Sequence, residues 1–227
     1  SINLHVKGLP LLSQIVRWAF RRPNVLALSP ARMHAFGKSE SYMDNPDYVL
    51  MFAPASFKAG LVGVLDDYPG FTIGTWPMRP QSRGYVRLAS ADPDDAPRFS
   101  ARYLSDPADG QVLLAAMKAA RTVMATEPLA SLVDAELFPG MDCHSDDELL
   151  DFARNSGATS FHLAGTCKMG PSNDSNAVVD PRLRVHGLER LRVIDASIMP
   201  TLPSANTAAA TMMIAEKGAD MIIEDVG

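Results

Sequence analysis

The sequence predicts an α+β protein, a mostly antiparallel sheet with flanking helices, followed by a C-terminal strand-helix segment of the kind that completes a Rossmann-like domain. Three observations carry this expectation. Between residues 48 and 103, four stretches rich in β-branched and aromatic side chains alternate with clusters of Pro, Gly and Asp. Helical patterns then follow at 109–126 and 149–154. Last, an apolar run over 191–195 ends in an acid, Asp195, and a long apolar helix pattern over 207–224 opens directly after Asn206. The stop signal Asn155-Ser156-Gly157 divides the chain into one domain over 1–157 and a terminal segment over 158–227.

Taken in order, Leu11, Leu12, Ile15, Val16, Ala19 and Phe20 recur at helical spacing, and Pro23 closes the run. Arg17, Arg21 and Arg22 flank this helix. An ordinary helix with a solvated arginine edge is favoured over a membrane-surface element. A short segment over 31–36, with His34 in it as a structural residue, has the content of a strand. The strands proper are expected at 48–52, 71–76, 84–89 and 98–103. Arg79-Pro80-Gln81-Ser82-Arg83-Gly84 joins two of them through a turn, and residues 90–97 are too rich in Pro and Asp for anything but a loop. Such connections suit antiparallel pairing, which needs no long crossover.

Ser105-Asp106-Pro107 supplies a helix start, with Val112, Ala116, Ala119 and Val123 on one face of the helix that follows. Ser145-Asp146-Asp147-Glu148 fits the capping box, in which the acid reaches back to the cap. The helix over 207–224 is apolar on nearly all sides, as expected of one sandwiched inside a larger body. A strand end followed by a helix start is how α/β folds approach a phosphate or a cofactor ring. No G-x-G-x-x-G follows any strand, so the chain is expected to complete a nucleotide-binding domain whose first half lies elsewhere.

Composition excludes several classes. A chain of 227 residues, 47% hydrophobic, can bury a sizeable core. A net charge of −5 argues against a nucleic-acid partner, which wants a basic face. No run approaches the roughly 18 apolar residues of an integral membrane segment, and the first residues lack a signal-peptide pattern. The chain begins at Ser1, which leads us to expect a native start upstream. Cys143 and Cys167 allow one disulfide at most, and a reduced, cytoplasmic setting is the easier reading.

Among the five histidines, His162 stands out, set between Phe161 and Leu163 and followed by a Gly turn. A lone histidine is more often structural than catalytic. Apolar neighbours would nevertheless disfavour its cation and leave a neutral base. Asn206 reads first as a helix cap, and Asp195 as an ordinary strand-terminating acid. The set Cys143, His144, His162 and Cys167 lacks the ligand spacing of zinc sites, and no metal is expected. Ser160 and Ser204 lie in no G-x-S-x-G elbow.

The runs His162-Leu163-Ala164-Gly165-Thr166-Cys167-Lys168-Met169-Gly170, Val179-Asp180-Pro181-Arg182-Leu183-Arg184-Val185-His186-Gly187 and Leu191-Arg192-Val193-Ile194-Asp195-Ala196-Ser197-Ile198-Met199-Pro200 resemble the C-terminal signature of the glucose-methanol-choline (GMC) oxidoreductases. Residues 79–86, 90–93 and 103–107 are similar to that family's substrate-domain pattern. The resemblance implies an FAD-dependent flavoprotein that oxidises a small-molecule alcohol, as alcohol and choline dehydrogenases do. Residues 1–157 would then be the substrate-binding domain and 158–227 the end of the FAD-binding domain, whose N-terminal half is the missing partner. It further implies that His162 takes the hydroxyl proton while hydride passes to flavin N5. Asn206 would donate to the substrate oxygen, with Phe161 lining the substrate side. Asp195, Ala196, Asn206 and Thr207 would adjoin the cofactor, and the helix start at Thr207 would place its positive end under the flavin. The family also includes FAD-containing hydroxynitrile lyases, and a non-catalytic interaction module with the same fold is the third reading.

Overall fold

Tyr48–Ala53 (β2) is the central strand of a three-stranded antiparallel sheet, and the first half of the chain is built on it. Met33–Gly37 (β1) pairs with it in the register Ala35 to Leu50, and Thr72–Pro77 (β3) pairs on the other side, Leu50 facing Thr75. The computed structural model describes residues 1–29, 31, 33–58 and 63–226. Arg32, inside the strand expected over 31–36, lies outside them.

The chain forms two compact units, the first made of Ser1–Pro77 with Pro107–Ala158 and the second of Met78–Asp106 with Thr159–Gly227. In the first, Pro107–Met124 (α2) lies on the sheet. Its contact face is alanine-rich: Ala116 and Ala120 are buried with Leu50, and Tyr48, Ile73 and Ala119 pack around them. Small side chains let helix and sheet approach closely and still exclude water. Asp146–Ser156 (α3) carries the expected capping box. Ser145 Oγ accepts from the Glu148 N–H, and Glu148 Oε2 accepts from the Ser145 and His144 N–H groups at 2.8 and 3.0 Å. These bonds hold the Glu148 carboxyl below its ordinary pKa, the Ser145 backbone bond contributing most.

A buried polar knot closes this unit. Asn3 donates through Nδ2 to the carbonyls of Ser56 and Asp66, at 2.9 and 3.1 Å, and its Oδ1 accepts from the Ser56 N–H at 3.0 Å. Gly8–Ala19 (α1) does not follow its expected pattern. Its one buried residue is Gln14, whose Oε1 accepts from the Val25 N–H at 3.0 Å, and most of its apolar side chains face solvent.

In the second unit, Tyr85–Arg87 (β4) and Arg98–Ser100 (β5) form a separate two-stranded antiparallel sheet. The single sheet expected over the middle of the chain is therefore two. The strand expected at 191–195 is not formed. Arg192 makes one isolated bridge, to Arg184. Beyond it Asp195 Oδ1 accepts from the Ser197 N–H at 2.7 Å and turns the chain into a short 3₁₀ helix, Ala196–Ile198. The apolar side chains of 193–199 are used instead for a core: Ile198 and Met199 are buried with Val179, Leu183 and Ile214, and Val193 and Ile194 pack against them.

Ile214 belongs to Ala208–Val226 (α4). At Gly218 a Cβ would stand 2.4 Å from Ile194 Cγ2, so only glycine lets the helix lie this close. The helix is not sandwiched within this chain: Met212 and Ile223 are 65% and 70% exposed. Its far end is held by charge, because Arg182, Arg184 and Arg192 converge on Asp225 and Arg182 also meets Glu224. The hydrogen bonds from Arg184 and Arg192, above all, lower the Asp225 carboxyl from 3.8 to about 2.

Two outcomes are expected. Asn3→Ala leaves the Ser56 N–H and the Asp66 carbonyl without their partner and should lower stability by about 1–3 kcal/mol, measured by denaturant unfolding. The lowered Asp225 pKa makes its contribution complete above about pH 4, the unfolded range, and lost as pH falls toward 2. The melting temperature of Asp225→Asn should thus lie below the parent's at pH 7, with the gap closing on acidification; a gap that does not change with pH would refute the clamp.

Candidate functional site

His162 is placed by a tight turn and by one hydrogen bond. The Phe161 N–H donates to Thr159 Oγ1 at 3.0 Å, and Phe161 takes the left-handed conformation, φ 60°, that non-glycine residues adopt only when held there. The next residue, His162, is half-buried, and its Nδ1 lies 3.1 Å from Thr207 Oγ1. Thr207 is buried, and its carbonyl accepts from the Thr211 N–H at 2.9 Å and from Thr211 Oγ1 at 2.8 Å. The cap position of α4 therefore falls to Thr207, and Asn206 sits one residue earlier, exposed. This corrects the reading of Asn206 as the cap.

The histidine–threonine bond has a chemical consequence. When Nδ1–H donates to Thr207 Oγ1, the lone pair of Nε2 is left as the free acceptor, which is the form a base needs. Phe161 and Leu163 do not desolvate the ring as expected. Phe161 is 72% exposed, and Leu163 is exposed as well.

The backbone after His162 is tied to the turn at Asp195. The Cys167 N–H donates to the Ser197 carbonyl and the Met169 N–H to that of Ile198, at 2.9 and 2.8 Å. Between them and His162, Gly165 has φ 88°, and a Cβ there would stand 3.1 Å from the Met199 carbonyl oxygen. Asp195 is exposed, its side chain capping its own turn, and Ala196 is half-buried against the core around Ile198. The structure thus joins His162 to Thr207 directly, and the 165–169 segment to residues 197–199. The bond of His162 runs to Thr207 and not to Asn206.

Two contacts were missed in the sequence. Thr207 as the partner of His162 had one signal, a hydroxyl residue at the start of a helix. Arg79 Nη1 donates to Ser204 Oγ at 2.8 Å and tethers the loop that leads to Asn206, with no local signal at all. The other conspicuous histidine of this unit, His186, is structural. Its Nε2 lies 3.1 Å from the Gly170 carbonyl, a pure acceptor, so Nε2 carries the proton. Both cysteines are free thiols, and among the described residues no group of three His, Cys, Asp or Glu side chains is placed to hold a metal ion. No helix among those residues is long and apolar enough to cross a membrane.

Residues 80–215 match the family described as GMC oxidoreductase. The alcohol dehydrogenase (acceptor) of Pseudomonas putida is 38% identical over 209 residues, 92% of this chain and 37% of the relative. The oxygen-dependent choline dehydrogenase of Staphylococcus aureus is 33% identical over 221 residues, 97% of this chain and 38% of the relative. Among solved structures, pyridoxine 4-oxidase from Mesorbium loti is similar with a TM-score of 0.76 at 31% identity, over 85% of this chain and 38% of that one. The chain spans less than two fifths of the length of these relatives. With its motifs, its fold and more than half of its length in agreement, the chain belongs to the GMC oxidoreductase family.

Proposed function

We propose that this chain is the C-terminal part of an FAD-dependent enzyme that oxidises a small alcohol to a carbonyl compound, with His162 as the general base. In this reading residues 1–157 supply the substrate-binding domain and 158–227 the end of the FAD-binding domain, the N-terminal part of that domain being the partner. The observation that carries it is the His162–Thr207 bond, which orients an imidazole at the first turn of the long helix α4.

The residues present fit the C-terminal share of a flavin site. Asn206, Ala208 and Ala209 are exposed where α4 starts, so the helix end, with its unpaired N–H groups and positive dipole, is open beside small side chains. The chain has no Gly-rich turn between a strand and a helix with which to grip a pyrophosphate, and that grip belongs to the partner.

When bound, FAD supplies the acceptor for the hydride that leaves the alcohol carbon. This chain's residues manage the proton and the oxygen. His162 Nε2 accepts the hydroxyl proton, and Thr207, holding Nδ1, fixes the ring plane and tautomer so that this nitrogen is the acceptor. The Asn206 amide donates to the substrate oxygen and does not compete for its proton. Phe161, exposed next to the base, is assigned to the substrate side. At Ala196 the small side chain leaves the backbone approachable, and Asp195, which already caps its own turn, is assigned to the cofactor's ribityl and pyrophosphate side. The relatives carry the names of dehydrogenases and an oxidase, and no observation favours the lyase or the non-catalytic reading.

In the assembled enzyme, His162→Ala should lower flavin reduction by roughly 10²- to 10⁴-fold. Asn206→Ala should cost about 1–3 kcal/mol, the loss of one hydrogen bond, and Thr207→Val about 0.5–1.5 kcal/mol. Flavin should remain bound in all three. Anaerobic stopped-flow reduction across a pH series measures this. A His162→Ala enzyme reduced at the parental rate would sink the mechanism, and one that merely loses flavin would make His162 structural. The 227-residue chain by itself should bind FAD weakly or not at all; stoichiometric flavin on the purified chain, with no other polypeptide present, would show that it carries the whole cofactor site.

A further inference from the structure

Helix α1 is built inside out. Its one buried residue is Gln14, 7% exposed and bonded to the Val25 N–H, whereas Leu9, Trp18 and Phe20 are 81%, 60% and 74% exposed, and Leu12, Ile15 and Val16 are exposed as well. Water is a poor solvent for such a face, and large exposed apolar patches mark places where something else is bound. The apolar side chains form one wide arc of the helix, and Ser13, Gln14 and Arg17 fill the other.

The charge around this helix points to the partner. Residues 1–29 hold four basic residues, Lys7, Arg17, Arg21 and Arg22, and no acidic one, and of these Lys7 is paired with Asp67, which leaves the three arginines as the charge beside the apolar face. Arg17, Arg21 and Arg22 are exposed at the end of α1 that bears Trp18 and Phe20. Trp18, Arg21, Arg22, Pro23, Asn24 and Leu28 line an open hollow of about 440 Å³. An apolar face ending in an indole, with arginines at its border, matches the boundary between acyl chains and phosphate headgroups.

We propose that α1 is a membrane-surface element that lies in the headgroup region of an anionic phospholipid bilayer. Leu9, Leu12, Val16 and Phe20 enter the acyl boundary, Trp18 sits at headgroup level, and Arg21 and Arg22 pair with lipid phosphates. This placement is independent of the assignment of His162 and requires no spanning helix.

The test uses the protein at its native length and vesicles of phosphatidylcholine with or without phosphatidylglycerol. The protein should float with the phosphatidylglycerol vesicles in low salt and be largely released in high salt, because the attraction is screened. Arg21→Gln with Arg22→Gln should weaken binding about 30-fold, from about fivefold for each basic residue near an anionic surface. Leu12→Glu with Phe20→Glu should abolish binding and leave the melting temperature and alcohol oxidation unchanged, since both side chains already face solvent. No flotation, or equal flotation with phosphatidylcholine alone, would overturn the proposal. So would a large drop in melting temperature in the Leu12→Glu, Phe20→Glu protein, which would show that the face is packed against another part of the same protein.

Discussion

The second unit depends on the close seating of α4 against residues 193–199. Gly218 admits Ile194 to within a distance that any side chain would forbid, and Ile214 completes the core of Val179, Leu183, Ile198 and Met199. This contact sets the height and rotation of the helix, and with them the position of its first residue. Thr207 meets His162 across 45 residues of sequence because packing near the middle of the helix seats its first turn against the turn that carries His162. A core built from apolar contacts is stiff to sub-ångström changes, which is what an oriented imidazole requires.

The same helix is fixed at both ends by different physics. At its start a hydroxyl meets a ring nitrogen, and at its end three guanidinium groups surround one carboxylate. The arginines come from 182–192, the segment that bridges to itself at Arg184 and Arg192. Turns that look irregular are therefore held by a charge cluster, a few main-chain bonds and one core, and no regular strand is needed.

Much of this was legible in the sequence, where local chemistry decides. The capping box at Ser145, the start of α2 at Pro107 and the strands around Leu50 and Ile73 are read from residue types a few positions apart. What failed was decided at a distance. Residues 191–195 have the apolar content of a strand, yet only Arg192 finds a bridge partner, and Asp195 finds a nearer N–H in Ser197. The apolar spacing of α1 was visible, but which side is buried was not, because Gln14 meets the Val25 N–H only after the chain has folded back. At the site, His162 was marked by its motif, whereas its bond to Thr207 depends on how α4 is seated. The exposure of Phe161 and Leu163 likewise belongs to the folded chain.

The bond from Arg79 to Ser204 joins two stretches that lie 125 residues apart in sequence. Arg79 opens the segment that runs on through β4 and β5, and Ser204 stands two residues before Asn206. Segments of that kind, with Pro-rich loops at 90–97, are where insertions and deletions accumulate in a family. A change of length there would reach the amide as a small displacement, with no altered residue near it. Diversification of the peripheral loops and the geometry of the reacting oxygen are in this way mechanically linked, and tuning one without the other requires that the guanidinium keep its hold.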